Sequence, residues 1–447
     1  MGDPVVIIPA EEHPIKLEMI DSDALAILRK LKKAGFSGYL VGGGVRDLYL
    51  GKTPKDFDIS TDARPGQIRK LFPNSSTIGR RFRLVRIFFP AKKFIEVSTL
   101  RSLSEFDMDG PEVVLAPNNT FGTMEEDARR RDLTINALFY EIEGQTIIDY
   151  VDGSRDLQNA IIRIVGPPEI RLRRDPVRMI RAIRHAARNS FTIEERSWQA
   201  ICENACKLRL CPPSRLRDEL LKDLYSEASA PWFELAVQAD LFCELLPVYR
   251  KRLKDSSTTQ RQDKDLLQRL FQTIDRLNRI SRQHGIHRQK DFFLLALLLT
   301  PWAEQRYQLF SQQRSGRLLF QLGKNLRKDL DAGIGTHLNL RRSLRQEIVT
   351  LLLGLALLIH NKQKNGWPNR LKKKSYFRSA QTFYNCYQTA LTGEPLELRH
   401  ITDIREETAP QITPPGDSGK RLQQFKPAFA PNSADGVFGF ARSPAKP

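Results

Sequence analysis

The sequence contains little cysteine and no apolar run long enough to cross a membrane. Five cysteines in 447 residues, an odd number in a large chain, indicate reduced thiols rather than a disulfide framework. The longest apolar run, from Leu351 to Ile359, is much shorter than the about 20 residues that span a bilayer. No signal peptide is evident at the start. We therefore expect a cytoplasmic protein that has no membrane partner.

Acidic residues are also scarce relative to basic ones. Asp and Glu number 52 against 71 Lys and Arg, which gives a formal net charge of +19 at pH 7. Such an excess favours a polyanionic partner such as RNA, with an affinity that falls as salt increases. The length allows two to four structural units.

A glycine-rich turn is the first feature that indicates a binding site, in this case for an anion. The segment Gly38–Val41 predicts a buried strand, and Gly42, Gly43 and Gly44 follow it directly. A short helix from Val45 to Leu50 is then expected. Free N–H groups at the start of that helix suit an anion, to which Arg46 would add a guanidinium. The alternative is a simple tight turn, since the pattern matches neither the Walker nor the dinucleotide fingerprint.

Two aspartates follow this turn. The alternation in Asp56-Phe57-Asp58-Ile59 predicts a strand with both carboxylates on one face. Neighbouring carboxylates repel each other unless a cation lies between them, and Mg²⁺ binds carboxylates together with substrate phosphates. Glu96 interrupts another apolar strand and supplies a third carboxylate, so Asp56, Asp58 and Glu96 could hold one or two metal ions. The alternative is an exposed acidic strand end.

A basic helix lies further along the chain. Between Arg171 and Arg188 there are seven arginines and one aspartate. Its apolar positions at helical spacing are Val177, Ile180, Ile183 and Ala187. Its polar face would carry Arg174, Arg178, Arg181, His185 and Arg188. Asp175 and Arg178 are three apart and share a face, so they could hydrogen-bond a base edge. The alternative is a solvated arginine face with a capping aspartate.

Together these motifs resemble the head domain of class II nucleotidyltransferases, the family of bacterial poly(A) polymerases and CCA-adding tRNA nucleotidyltransferases. The resemblance runs from about Ile7 to about Leu224 and includes Glu126–Ala137, Asp149–Gly153 and Asp175–Arg178 in the family's order. It implies an α+β fold with a polymerase-beta-like head and a mixed sheet, followed by an all-α neck and body. We expect the head in residues 1–150, the neck in 151–225 and an RNA-binding body in 226–407. A disordered basic tail is expected in 408–447, which is rich in Pro, Gly, Ser and Lys.

The resemblance also implies roles for individual residues. Asp56 and Asp58 would bind Mg²⁺, and Glu96 would help activate an RNA 3′-hydroxyl. The remaining implied contacts are to the triphosphate (Gly43, Gly44, Arg46), to the nucleotide (Arg131, Asp132, Asn136) and to adenine (Asp175, Arg178). Arg174 departs from the pattern, because the family usually has an acidic residue there.

The branch of the family is indicated by Ile78–Leu84, which resembles the signature of the bacterial poly(A) polymerases and includes Arg80, Arg81 and Arg83. Arg86 replaces the histidine that is usual after it. The implied activity is transfer of AMP from ATP to RNA 3′ ends, with RNA-decay proteins as possible partners. One alternative is a CCA-adding or A-adding tRNA nucleotidyltransferase. Another is a non-catalytic RNA-binding protein, against which the intact carboxylate set argues.

Overall fold

The structure, a computed structural model, describes residues 5–79, 83–102, 120–254, 258–363 and 366–401. Arg80 and Arg81 of the signature lie outside the described residues, and so does the expected tail, 408–447. We keep the names head, neck and body for residues 1–150, 151–225 and 226–407, whose boundaries stay predictions.

The head contains an eight-stranded sheet with the order β1-β8-β7-β2-β3-β6-β5-β4. Its strands are β1 (Val6–Ile8), β2 (Gly38–Val41), β3 (Asp58–Thr61), β4 (Ser75–Ile78), β5 (Leu84–Phe88), β6 (Phe94–Thr99), β7 (Phe139–Glu141) and β8 (Thr146–Asp149). β3 and β6 run parallel, whereas the other neighbours are antiparallel. The mixed sheet confirms the predicted α+β class.

Helices cover the apolar side chains of this sheet. They are α1 (Ser22–Lys33), α2 (Gly43–Tyr49), α3 (Pro65–Leu71) and α4 (Met124–Arg130). The Asp21 side chain accepts hydrogen bonds from the N–H groups of Asp23 and Ala24, which satisfies the free donors at the start of α1. Ile27 and Leu31 on α1 pack with Leu40, Ile59 and Val97 of the sheet in one buried core.

The chain leaves the head through a tight turn after β8. Asp149 accepts hydrogen bonds from the N–H groups of Val151 at 3.0 Å, Gly153 at 3.1 Å and Ser154 at 2.8 Å. A Cβ atom added to Gly153 would lie 2.2 Å from the carbonyl oxygen of Thr134. Glycine is therefore required at this crossing, because a methyl group would overlap the backbone of the head.

The described residues of the neck and body are mainly helical and include one short parallel pair of strands, β9 (Ile161–Ile162) and β10 (Thr192–Ile193). The neck helices are α5 (Gly153–Gln158), α6 (Pro168–Arg174), α7 (Val177–Asn189), α8 (Glu195–Asn204) and α9 (Pro213–Leu224). The body helices are α10 (Ser229–Gln238), α11 (Leu241–Leu245), α12 (Arg250–Lys254), α13 (Thr258–Gln283), α14 (Asp291–Tyr307), α15 (Gly316–Ala332), α16 (Ile334–His337), α17 (Arg342–His360), α18 (Asn369–Lys372) and α19 (Phe377–Thr392).

By length and composition alone, α17 could cross a membrane. In the structure it packs against α14, α15 and α19, and Leu352 and Leu355 are fully buried. We therefore describe α17 as a core helix of the body.

The helix α7 has the predicted apolar face, with Val177, Ile180 and Ile183 buried. Its other face is only partly solvated, because Arg184 is 7% exposed and pairs with two carboxylates of α9. Nη1 of Arg184 donates to Glu219 Oε2 at 2.6 Å, and Nε donates to Asp223 Oδ1 at 2.5 Å. Glu219, to which the sequence assigns no chemistry, thus helps to fix α7 against α9.

We predict that Arg184→Leu lowers the free energy of unfolding by about 3–5 kcal/mol, because Asp223 would stay buried without its cation. Glu219 would keep only Lys222 and Arg181. Arg188→Leu, one turn further along α7 and exposed, serves as the matched control and should change it by less than about 0.5 kcal/mol. Urea unfolding followed by circular dichroism measures both. Equal effects of the two substitutions would contradict the expected importance of the Arg184 cluster.

Candidate active site

Two carboxylates lie side by side in the head sheet. The parallel pairing of β3 and β6 sets Asp58 opposite Glu96, so both side chains project from one face, about 4.8 Å apart along the sheet. β2 sets Val41 beside Asp58, and β5 sets Arg86 beside Glu96. A row across four strands therefore reads Val41, Asp58, Glu96, Arg86, which we call the carboxylate row.

The negative charge on Asp58 is unfavourable in this row. Burial raises the pKa of Asp58 to about 6, the charges of Glu96 and Asp56 add to the rise, and Arg131 opposes it. A divalent cation would relieve this repulsion, and Mg²⁺ commonly takes one or two carboxylates together with substrate phosphates. The donor set fits such a cation, although no group of three His, Cys, Asp or Glu side chains stands ready for a metal within the described residues.

Asp56 does not lie on a strand. β3 begins at Asp58, so the prediction of a strand from Asp56 to Ile59 is wrong for its first two residues. The reason is that β2 ends at Val41, opposite Asp58, and leaves no partner for the residues before it. The Asp56 side chain is exposed in the preceding loop, but its charge still contributes to the pKa of Asp58.

The glycine turn lies next to the row. Gly42 has φ 72° and ψ −139°, a conformation that L side chains rarely adopt. A Cβ atom there would lie 3.4 Å from Arg131 Nη1 and 3.9 Å from Asp58 Oδ2. Gly44 likewise lets α2 approach the loop, since its Cβ would lie 3.4 Å from the carbonyl oxygen of Asp56. Glycine thus allows the main chain to lie against the charged groups.

Arg46 is buried behind this turn, with 5% exposure. Its Nη1 donates to Asn136 Oδ1 at 2.6 Å and lies 3.3 Å from His185 Nδ1, while Nη2 donates to Asp47 Oδ1 at 2.7 Å. Burial and the charge of Arg46 lower the pKa of His185 well below its usual range, so the ring is neutral at pH 7. Arg46 therefore supports Asn136, and its predicted contact with a triphosphate stays a prediction.

Arg131 lies between the glycine turn and the carboxylate row. Its Nη2 donates to Asp127 Oδ2 at 2.9 Å, and its Nη1 donates to the carbonyl oxygen of Asn136 at 3.2 Å. The guanidinium also lies over the ring of Phe139, 5.2 Å from the centroid. These contacts hold a cation close to Asp58, where it limits the rise in pKa.

Asp132 joins the head to the neck. Its Oδ2 accepts a hydrogen bond from Arg181 Nη1 at 3.2 Å, and its Oδ1 lies 3.4 Å from Asn136 Nδ2. Burial alone would raise the pKa of Asp132, but the charges of Arg181 and Arg178 outweigh it and hold the pKa well below its usual range. Asp132 is therefore ionised where the head meets the neck.

Two neck arginines bind the end of α4. Arg178 donates from Nη1 to the carbonyl oxygen of Arg131 at 2.9 Å and from Nη2 to that of Arg130 at 3.0 Å. Arg171 donates from Nη2 to the carbonyl oxygens of Arg129 and Arg131, both at 3.1 Å. Free carbonyls at a helix C-terminus attract cations. The neck thus holds the backbone from which Arg131 projects.

Asp175 lies in the break between α6 and α7, so the prediction that it shares a helix face with Arg178 is wrong, because Pro176 interrupts the helix. Both residues still line one cleft, but they are not in close contact. Arg178 Nε lies 3.9 Å from Asp175 Oδ2. Arg215 on α9 is nearer, with Nη2 donating to Asp175 Oδ2 at 3.0 Å and Nη1 lying 3.0 Å from Oδ1. Reading of adenine by Asp175 and Arg178 stays a prediction, and Arg215 would orient the carboxylate for it.

One cleft of about 350 Å³ collects most of the predicted residues. We call it the head–neck cleft. The predicted residues that line it are Asp58, Glu96, Arg131, Asp132, Asn136, Asp175 and Arg178. Asp56, Gly43, Gly44 and Arg46 lie around it rather than in its lining.

The sequence analysis missed four arginines of the lining, namely Arg101, Arg130, Arg181 and Arg215. Arg181 belonged to the recognised basic face and could have been proposed from its spacing to Arg178. Nothing in the sequence indicates that Arg215 belongs to the site. Its partner Asp175 is distant in sequence, and only the packing of α9 against α7 brings the two residues together.

The head residues that line the cleft lie in a region that matches a known family. Residues 38–163 match the poly(A) polymerase head domain, and residues 190–253 match the family described as a probable RNA and SrmB-binding site of polymerase A. The chain is 39% identical over 301 residues to poly(A) polymerase I of Escherichia coli O157:H7. It is 35% identical over 245 residues to the CCA-adding enzyme of Bacillus subtilis.

The first alignment covers 66% of this chain and 63% of the E. coli protein, and the second covers 55% and 60% of the two chains. Among solved structures, the Bacillus stearothermophilus CCA-adding enzyme in complex with CTP superposes with a TM-score of 0.59 at 24% identity. That superposition covers 83% of this chain and 78% of the other, and it supports the fold.

Residues 38–163 therefore match a poly(A) polymerase head domain, and the chain is similar to the nucleotidyltransferase family that contains poly(A) polymerases and CCA-adding enzymes. Within that family, it aligns at higher identity with poly(A) polymerase I than with the Bacillus subtilis CCA-adding enzyme. The chain spans somewhat less than two thirds of the curated poly(A) polymerase that it matches, 63% of its length.

We predict that Asp58→Asn stabilises the metal-free protein at pH 7.5. With its pKa raised to about 6, Asp58 is ionised at pH 7.5, and the fold loses stability as the pH rises through that value. The shift corresponds to at most about 3 kcal/mol, which solvent screening at this open site reduces to about 1 kcal/mol. At pH 4.5 Asp58 is protonated in the folded protein but still largely ionised in the unfolded chain, so the gain should fall to about a third of its value at pH 7.5.

Thermal unfolding in EDTA at the two pH values measures this difference. Asp56→Asn is the matched control and should give a smaller gain, since Asp56 lies in the loop before β3 and has no carboxylate opposite it on a neighbouring strand. A gain for Asp58→Asn that is equal at both pH values would contradict the raised pKa.

Proposed function

We propose that this chain is a template-independent polynucleotide adenylyltransferase, which transfers AMP from ATP to an RNA 3′-hydroxyl and releases pyrophosphate. The proposal rests on one observation above all. The carboxylates Asp58 and Glu96 share a cleft with the cations and polar groups of a poly(A) polymerase head. A cleft with carboxylates on one wall and arginines on the other suits a nucleotide triphosphate with its cation.

The metal-binding part of the proposal assigns Mg²⁺ to Asp56 and Asp58, with Glu96 beside them. Mg²⁺ would supply charge neutralisation at the α-phosphate and would lower the pKa of the attacking hydroxyl. The rise in the pKa of Asp58 supports this assignment, because the carboxylates repel each other without a cation. Asp56 can join Asp58 through a change of side-chain conformation, since it is exposed in a loop.

In the nucleotide-binding part, Arg131 and Arg181 offer guanidinium groups to the phosphates, and Gly43 and Gly44 allow close approach of the backbone. Asn136 would orient the nucleotide, with Arg46 holding its amide from behind at 2.6 Å. Asp132 contributes by keeping Arg181 in place.

In the base-reading part, Asp175 accepts from the adenine amino group and Arg178 donates to a ring nitrogen. Arg178 keeps donors for this role, because two of its five N–H groups are used on the head carbonyls. A fixed pair of this kind selects a base without a template strand. Arg174, in place of the usual acidic residue, leaves both members of the pair intact.

A second, larger cavity supports RNA as the acceptor. It has a volume of about 1220 Å³ and lies further along α7 towards its C-terminal end, lined by residues of head, neck and body. Its cationic lining residues are Lys55, Arg184, Arg188, Lys222, Arg282, Arg288, Lys290 and Arg341. We call it the basic cavity. Cations along a groove suit the phosphates of single-stranded RNA.

The proposal extends to a role in RNA polyadenylation, mRNA processing and decay, in the cytoplasm. The free state of all five cysteines supports a reducing compartment. The family matched by residues 190–253 is described as binding SrmB as well as RNA, which supports a protein partner at the neck and start of the body.

The second candidate is CCA or A addition to tRNA, which the 35% identity to a CCA-adding enzyme favours. It uses the same carboxylates and differs in substrate. A non-catalytic RNA-binding role is the third candidate, and it leaves the carboxylate row without a purpose.

Nucleotide incorporation separates these candidates. The purified chain is given ATP or CTP with Mg²⁺ and either an oligo(A) primer or a tRNA that lacks its terminal nucleotides. We expect repeated AMP addition to oligo(A). Ordered addition of C, C and A to tRNA would overturn the polyadenylation proposal, and incorporation of neither nucleotide would favour the non-catalytic protein.

The metal assignment has its own test. We predict that Asp56→Ala and Asp58→Ala each reduce AMP incorporation by more than about a hundredfold, because the cation loses a ligand, while RNA binding is retained. Glu143→Ala, an exposed carboxylate of the head, is the matched control and should keep its activity. Turnover close to that of the wild type in Asp56→Ala would refute the metal assignment.

We predict that Lys290→Glu combined with Arg341→Glu weakens binding of oligo(A) by about tenfold or more at moderate salt, because two phosphate contacts become repulsive. Arg69→Glu with Lys70→Glu on the exposed side of α3 makes the same charge change away from the basic cavity. Fluorescence anisotropy at several salt concentrations measures both. Equal losses in the two double variants would mean that net charge, rather than the cavity, controls binding.

A further inference from the structure

Arg86 ends the carboxylate row, and the roles proposed above give it no function. Its Nε donates to Glu96 Oε1 at 2.8 Å, and its Nη2 lies 2.7 Å from the same oxygen. The guanidinium also packs over the ring of Phe94, 4.4 Å from the centroid. Arg86 is therefore held at a fixed place beside a proposed metal-binding carboxylate.

The order of the strands determines which charges lie beside Glu96. β3, β6 and β5 are neighbours, and Asp58, Glu96 and Arg86 are opposite one another in register. Glu96 thus has a carboxylate on one flank and a cation on the other. Without Arg86 the row would concentrate negative charge, and with Arg86 part of that charge is already neutralised.

Burial argues against a purely structural role. The side chains of Arg86 and Glu96 are 35% and 29% exposed, and ion pairs with this much solvent contact contribute little to stability. The pair matters more for the charge in the head–neck cleft than for folding stability, because Glu96 lines that cleft.

We infer that Arg86 is a positioning residue, which holds Glu96 through Oε1 and weakens the binding of a divalent cation at the carboxylate row. The inference rests on the proposed function, because it takes Asp58 and Glu96 as ligands of that cation. Both contacts of Arg86 use Oε1, so Oε2 can bind the cation. The positive charge of Arg86 repels the cation and lowers its affinity by about tenfold, from Coulomb's law for charges several ångströms apart in water.

The consequence is a site that binds its cation weakly until a nucleotide arrives. The phosphates of ATP add negative charge, which offsets the positive charge of Arg86 and strengthens binding of the cation. The cation is then retained when the nucleotide is bound and exchanges readily when it is absent.

The test measures binding of Mn²⁺ to the full chain without nucleotide, by electron paramagnetic resonance of the free ion. Arg86→Gln removes the charge but can still donate a hydrogen bond to Glu96, and it should bind Mn²⁺ about tenfold more tightly. Arg86→Lys keeps the charge and should stay within about twofold of the wild type. Arg69→Gln, an exposed arginine of α3, is the matched control and should leave the affinity unchanged.

Asp58→Asn separates this inference from the proposed function. If Asp58→Asn leaves Mn²⁺ binding unchanged, the cation site is wrong, and both the inference and the metal assignment fail. If Asp58→Asn weakens binding but Arg86→Gln does not strengthen it, the inference alone is overturned. Melting temperatures of the variants, measured in parallel, identify any loss that comes from unfolding.

Discussion

Repulsion between carboxylates on adjacent strands is the interaction around which the head is arranged. The parallel pairing of β3 and β6 fixes Asp58 beside Glu96, and neither strand can shift by one residue without exposing Ile59 and Val97. The resulting charge is balanced from two sides. Arg131 lies beyond the glycine turn and Arg86 lies on β5, so the row is flanked by cations even before a ligand binds.

The neck stabilises one of these two cations through the backbone of the head. Arg171 and Arg178 donate to the carbonyl oxygens at the end of α4, from which Arg131 projects towards Asp58. Asp132, the next residue, pairs with Arg181. The segment that carries Arg131 and Asp132 is therefore fixed by the two helices on either side of Asp175. The proposed base reading and the charge balance would share one set of contacts, which gives a physical reason for the density of arginine between Arg171 and Arg188.

The sequence predicted β2, the helix after it and the apolar face of α7, because these depend on local periodicity, whereas the α+β class followed from the family resemblance. It also identified seven of the residues that line the head–neck cleft. It failed where pairing between distant segments decides the outcome. Asp56 is off the strand because β2 ends early, and Arg215 reaches Asp175 only through the packing of α9 against α7. The buried state of Arg46 was missed for the same reason, since Asn136 and His185 are remote in sequence.

The close approach of Gly153 to the head has a further mechanical meaning. A single added carbon would lie 2.2 Å from the carbonyl oxygen of Thr134, so the peptide chains already touch where the neck begins. At that point the neck cannot move closer to the sheet. The narrowest state of the cleft is therefore limited by backbone atoms rather than by side chains that could adapt.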